Sequence, residues 1–157
     1  MVDTVKELSE LSRKLNQKSD TLNAVITSLN EKLAKLNLGV EAWLLDPIEA
    51  VDAYFLPEDK GKKFPRRDAI LLGYCKFDGG WALATKHATL VTRQNYPDGE
   101  ENEEVVSASK VAPLLTASRT IRANSMRLVP SLLDAIKMDA ERLLNSIEKA
   151  EKAAEKL

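Results

Sequence analysis

Three hydrophobic patterns follow one another along the chain. The first is a run of apolar residues at Leu8, Leu11, Leu15, Leu22, Ile26, Leu29, Leu33 and Leu36. Steps of three and four residues put these side chains on one narrow helical stripe, the pattern of a coiled-coil seam. The stripe falters over residues 16–23, where Lys18 or Ser19 takes an expected apolar position. The later phase fits a four-residue stutter, which locally unwinds a supercoil. A partly exposed stretch of helix explains this more simply than a hinge or a polar register device. Thr4 and Glu7 have capping-box spacing, and Asn37 and Gly39 supply a stop, because both residue types tolerate the left-handed conformation past a helix end. A helix over 1–38 is expected, about 50 Å long.

The second pattern is alternation. Residues 67–92 read RDAILLGYCKFDGGWALATKHATLVT, two apolar runs joined by Asp78-Gly79-Gly80. Asp-Gly between such runs predicts a β-hairpin, since both turn residues accept positive φ. A two-residue turn pairs Phe77 with Gly80, Lys76 with Trp81, Tyr74 with Leu83 and Leu72 with Thr85; a three-residue loop with a bulge shifts these by one. Side chains alternate, so Ile70, Leu72, Tyr74, Trp81 and Leu83 share one face. Leu71, Cys75, Phe77, Ala82 and Ala84 share the other. Neither face is polar, so the bulky one is expected on helices and the smaller one under another helix or a second copy. Residues 40–45 (VEAWLL) form a third candidate strand, stopped by Asp46-Pro47. Residues 48–56 mix helical and strand spacing and are read as loop.

The third pattern is a broad helical face. Leu114, Leu115, Ile121, Leu128, Val129, Leu132, Leu133, Ile136, Leu143, Leu144 and Ile147 define it. Ser109 is placed to cap its start and Pro113 to occupy its first turn. Pro130 predicts a kink or a break near Leu128, with Ser131 as the next cap if the helix breaks. Beyond Ile147 only Ala150 and Ala154 continue the face, so the tail needs a partner helix to stay ordered.

Together these elements predict one α+β domain over 1–157. It comprises an N-terminal helix (1–38), a three-stranded antiparallel meander (40–92) and a kinked or broken C-terminal helix (109–157). A basic loop (57–67) and an acidic loop (93–108) interrupt it. Three strands make a sheet about 20 Å across, shorter than either helix. The helices are therefore expected to pair beyond it as an antiparallel coiled-coil-like layer, doubled in a homodimer.

Charge adds little to this picture. There are 23 basic and 24 acidic residues, a net −1, which advertises neither nucleic acid nor an anionic membrane. The single cysteine excludes an intramolecular disulfide and suits a reducing compartment. The N-terminal residues lack a secretory signal's pattern, and no apolar run is long enough to span a bilayer. A soluble, cytoplasmic protein is the expectation.

Candidate chemistry is sparse. His87 has no second ligand or nucleophile nearby, Cys75 has no Cys-x-x-Cys partner, and phosphate-loop, dinucleotide and nucleophile-elbow motifs are absent. No enzyme, metal or cofactor is expected. The interaction candidates are Lys60, Lys62, Lys63, Phe64, Arg66 and Arg67 in the basic loop, and Arg119, Arg122 and Arg127 on the C-terminal helix. Cations around an aromatic suit phosphates and a stacked base. Five acids lie among the seven residues 98–104 and offer an internal partner instead. An oligomerising protein-interaction or scaffold module that holds or regulates a protein partner is the leading reading. A nucleic-acid-associated accessory factor is the alternative.

Overall fold

The computed structural model describes residues 1–54, 65–94 and 101–157. Its first element, α1, spans Val2–Leu36. Met1 is the N-cap and makes no side-chain capping bond, so Thr4 lies inside the helix and Thr4–Glu7 is not a capping box. The stop is as the sequence predicts, with Asn37 left-handed at φ 48° and Gly39 at φ 66°.

Among the described residues the sheet has six strands, all antiparallel to their neighbours. They are β1 (Ala42–Trp43), β2 (Glu49–Ala50), β3 (Arg66–Phe77), β4 (Gly80–Gln94), β5 (Glu101–Ala108) and β6 (Ala112–Pro113). The β3–β4 hairpin is the spine. Asp78 (φ 39°) and Gly79 (φ 91°) form its turn, and the pairing runs from Phe77–Gly80 to Arg66–Val91, with Tyr74 opposite Leu83 and Ile70 opposite His87. β1 and β2 share the free edge of β3, while β5 and β6 share that of β4.

This sheet is larger than the meander expected from the alternation, for two reasons. Residues 101–108 join β4 despite their acids, because an edge strand tolerates charge and leaves its side chains largely exposed to water. Residues 48–51, read as loop, hydrogen-bond to β3 through Ile48 N to Ile70 O (2.8 Å) and Val51 N to Asp68 O (2.9 Å). The ladder between β4 and β5 slips at Thr89/Leu90, a bulge that adds to the curl of the sheet.

The two sheet faces are covered differently. Leu72, Tyr74 and Leu83 pack under the helices with Ile26, Leu33, Leu114, Leu132 and Ile136. Tyr74 also stacks on Trp81, with ring centroids 5.5 Å apart. The other face buries Ala69, Leu71, Ala88 and Leu90, against which Trp43 packs. Trp43 crosses Gly73, its strand partner, and a Cβ at that glycine would lie 2.3 Å from the indole Cε3. Lys86 Nζ sits 4.0 Å over the indole ring, and Trp43 Nε1 donates to Glu41 Oε1 at 2.6 Å.

The C-terminal region does not begin its helix at Ser109. Ser109 bridges to β4 instead, its N–H donating to His87 O at 2.7 Å and its Oγ accepting from His87 N at 3.0 Å. A short 3-10 turn (Leu114–Thr116) precedes α2 (Arg119–Ser125), which Ser118 caps by accepting from Ile121 N. A second 3-10 turn (Met126–Leu128) leads into α3 (Val129–Ala154), with Pro130 in its first turn, where no N–H is needed. The helix therefore breaks at Leu128, and Ser131 lies within α3 rather than capping it. α1 rests mainly on β4, and α3 on β1 and β3; the two are not principal neighbours within one chain. Where the sequence predicts an antiparallel coiled-coil-like pairing of the two helices, α1 gives the middle of its stripe to the core on the sheet through Ile26 and Leu33. Among the described residues no helix is long and apolar enough to cross a membrane.

Candidate functional site

The stripe of α1 changes environment part-way along. Ile26 is fully buried, while Leu8, Leu11 and Leu15 on the same stripe are 59%, 54% and 53% exposed. Ser19 stands at the changeover. It is buried, and its Oγ accepts from Arg122 Nη2 at 3.2 Å. The faltering residue is thus a polar tie from α2 to α1.

At the opposite end of α1 a groove of about 570 Å³ opens between its last turn and α3. Leu33, Leu36 and Leu38 form one wall, and Leu133, Ala140 and Leu144 contribute to the other. Leu36, Leu143, Leu144 and Ile147 are all exposed. Apolar side chains clustered this closely on a surface mark an interaction site more often than a chance distribution. Lys137 and Glu141 also line it.

A second concavity, about 560 Å³, crosses the part of the sheet that carries Asp68, Ile70, His87 and Thr89, with Glu49, Val51, Ser107 and Ser109 at its sides. Its polar groups are tied to one another. Tyr54 Oη and Thr89 Oγ1 both donate to Asp68 Oδ1, at 3.1 and 2.9 Å. Desolvation and the Asp68 carboxylate push the Tyr54 phenol above its usual pKa, which keeps it protonated as that donor. Ser109 Oγ donates to Lys110 O at 3.2 Å, so its proton points to backbone and not to the His87 ring. Nothing in this arrangement activates a nucleophile. Among the described residues no three His, Cys, Asp or Glu side chains gather as a metal-ligand set. Burial raises the Cys75 thiol, with Glu41 adding to the effect and Lys86 opposing it.

Of the interaction candidates, Lys60, Lys62, Lys63 and Phe64 lie outside the described residues. Arg66 belongs to β3, where its backbone exchanges hydrogen bonds with Tyr54 at 2.7 and 2.8 Å. Arg67 makes a bidentate pair with Glu103 at 2.6 and 2.8 Å, so the basic and acidic segments meet inside one chain. Arg93 reaches Glu104 at 3.6 Å. The helix arginines find neutral partners where acids were expected. Arg119 donates to Asn16 Oδ1 at 3.0 Å, and Arg122 to the Ala117 carbonyl as well as to Ser19. Arg127 donates to Pro47 O and Ile48 O at 3.0 and 3.3 Å. The three tie α2 and its flanking turn to α1 and to the segment before β2.

No family model, no curated protein and no solved structure matches this chain. The groove lined by Leu36, Leu38 and Leu144 is not evident in the sequence, because Leu36 lies on the α1 stripe and Leu144 on the broad C-terminal face, and periodicity does not show that these ends stay uncovered. Their only signal was that both helices exceed the sheet they cover.

Proposed function

We propose that this protein is a non-enzymatic, oligomerising interaction module that holds or regulates a protein partner, built as a homodimer in the cytoplasm. The observation that carries this reading is the continuation of the α1 stripe beyond the sheet as Leu8, Leu11 and Leu15, each more than half exposed. An isolated stretch of helix is only marginally stable in water and gains stability by burying such a stripe. The internal engagement of Arg67, Arg119, Arg122 and Arg127 also favours protein contacts over nucleic-acid binding.

Light scattering at micromolar concentration tests the proposal. The expected mass is twice the 17.4 kDa of the chain. A monomer of full helical content by circular dichroism would remove the oligomeric reading.

A further inference from the structure

We infer that the exposed arm of α1 docks in the α1–α3 groove of a second copy, reciprocally, in an antiparallel two-fold dimer; this rests on the oligomerising reading above. The groove cannot take its own arm. Leu11 and Leu36 are joined by continuous helix, and 25 residues at 1.5 Å each hold them about 37 Å apart. Only another molecule brings an arm to that end.

The α1 sequence itself points to an identical partner. Its leucines at 8, 11, 15, 22, 29, 33 and 36 are spaced 3, 4, 7, 7, 4 and 3 residues apart, a palindrome centred on Leu22. Leu22, Leu29 and Leu33 pack on the chain's own core, so only the ends of the series are free; laid antiparallel about the level of Leu22, two copies bring Leu8 level with Leu36 of the second copy. Both of these are exposed, at 59% and 61%. An isologous contact requires self-complementarity of this kind, with each patch meeting the other's counterpart twice.

Charge selects the same orientation. The arm carries Asp3, Lys6, Glu7 and Glu10, net acidic, then Arg13 and Lys14, while the groove end carries Glu31, then Lys32 and Lys35. Antiparallel alignment with Leu8 level with Leu36 sets Lys35 between Glu7 and Glu10 and Glu31 level with Arg13, with Lys32 falling between Glu10 and Arg13. Parallel alignment stacks each charge on its own copy, which is unfavourable.

Disulfide trapping of the full chain tests this. Glu7→Cys and Lys35→Cys are surface positions 28 residues apart on one helix, about 42 Å, so a bridge between them forms only between copies. Under mild oxidation the double variant is expected to run as a covalent dimer on a non-reducing gel, and either single variant as a monomer. A covalent dimer from Glu7→Cys alone would mean parallel arms and overturn the inference. So would an unbridged double variant whose light-scattering mass is still dimeric, and that outcome leaves the oligomeric reading standing on another surface. A monomeric mass for the unmodified chain removes both. In a second arm of the test, Leu11→Asp is expected to weaken self-association about a hundredfold, since it buries a charge in an apolar contact. The side chain is exposed in the single chain, so helix content and thermal midpoint at high dilution should stay unchanged. Undiminished dimerisation of that folded variant would also overturn the inference.

Discussion

The two halves of α1 carry one stripe and meet two environments. From Ser19 to Leu33 the stripe lies on the sheet and closes the main core; from Val5 to Leu15 the same spacing faces water. The helix continues unbroken through the change. Periodicity therefore identifies which face of a helix is apolar and says nothing of what covers it. The cover depends on where the sheet ends, a length set by strands elsewhere in the chain.

This difference has a large energetic consequence. Ile26→Ala removes a fully buried side chain and leaves a cavity, with an expected cost of about 2–5 kcal/mol. Leu11→Ala, on the same stripe, should stay within about 0.5 kcal/mol in the monomer. Urea titrations of both variants at a concentration too low for self-association check the contrast. Similar costs would show that the arm folds back on its own chain. A Leu11→Ala cost that appears only as concentration rises would sharpen the contrast, by showing that a second molecule is the arm's missing cover.

The sheet repeats the contrast between its faces. Helices cover one, and on the other the Trp43 indole lies across Gly73. Gly73→Ala would bring a methyl to 2.3 Å from Trp43 and 2.8 Å from the backbone oxygen of Ala42. The indole and the edge strand β1 must both give way, at an expected cost of about 1–3 kcal/mol. Thermal unfolding measures the cost, and the change in Trp43 fluorescence locates it. An unchanged midpoint would mean that Trp43 is held by Lys86 and Glu41 and not by its seat on the glycine.

Much of this architecture was legible because its signals are local. Asp78-Gly79 set the hairpin and its register, alternation separated Leu72 and Leu83 from Leu71 and Ala84, and Asn37 marked the end of α1. The failures came where tertiary context competed with a local cue. Ser109 has the chemistry of a helix cap, but the backbone of His87 offers it a strand partner. Residues 101–108 have a loop's composition, yet they lie beside the open edge of β4. The groove was the least legible feature, since Leu36 and Leu144 are 108 residues apart in the chain and become a surface only after α3 has crossed the end of α1. Arg122 was singled out as a cation, whereas its observed role is that of a donor to Ser19 and to backbone.

The smallest expected effect separates the buried sheet from the arm by pH. Burial raises the pKa of both Cys75 and Tyr74 above their ordinary values of 9.0 and 10.0. Each group is neutral when protonated, so burial favours the protonated form in the folded state. Their contribution to stability is therefore complete below the unfolded pKa and is lost as pH rises through the folded one. The thermal midpoint should be insensitive to these groups near pH 7 and should fall on the alkaline side of about pH 9. Cys75→Ala removes the part of the decline that begins first, and Tyr74→Phe the part that follows. Leu11→Ala should leave the profile unchanged, because nothing on the arm is coupled to either group. The thiol offers an independent reading. In the folded protein it should react slowly with an alkylating reagent at neutral pH, being both protonated and covered, and quickly once urea exposes it. Fast alkylation of the native protein would mean that the Trp43-covered face opens readily, and that the two faces of the sheet differ in stability as well as in cover.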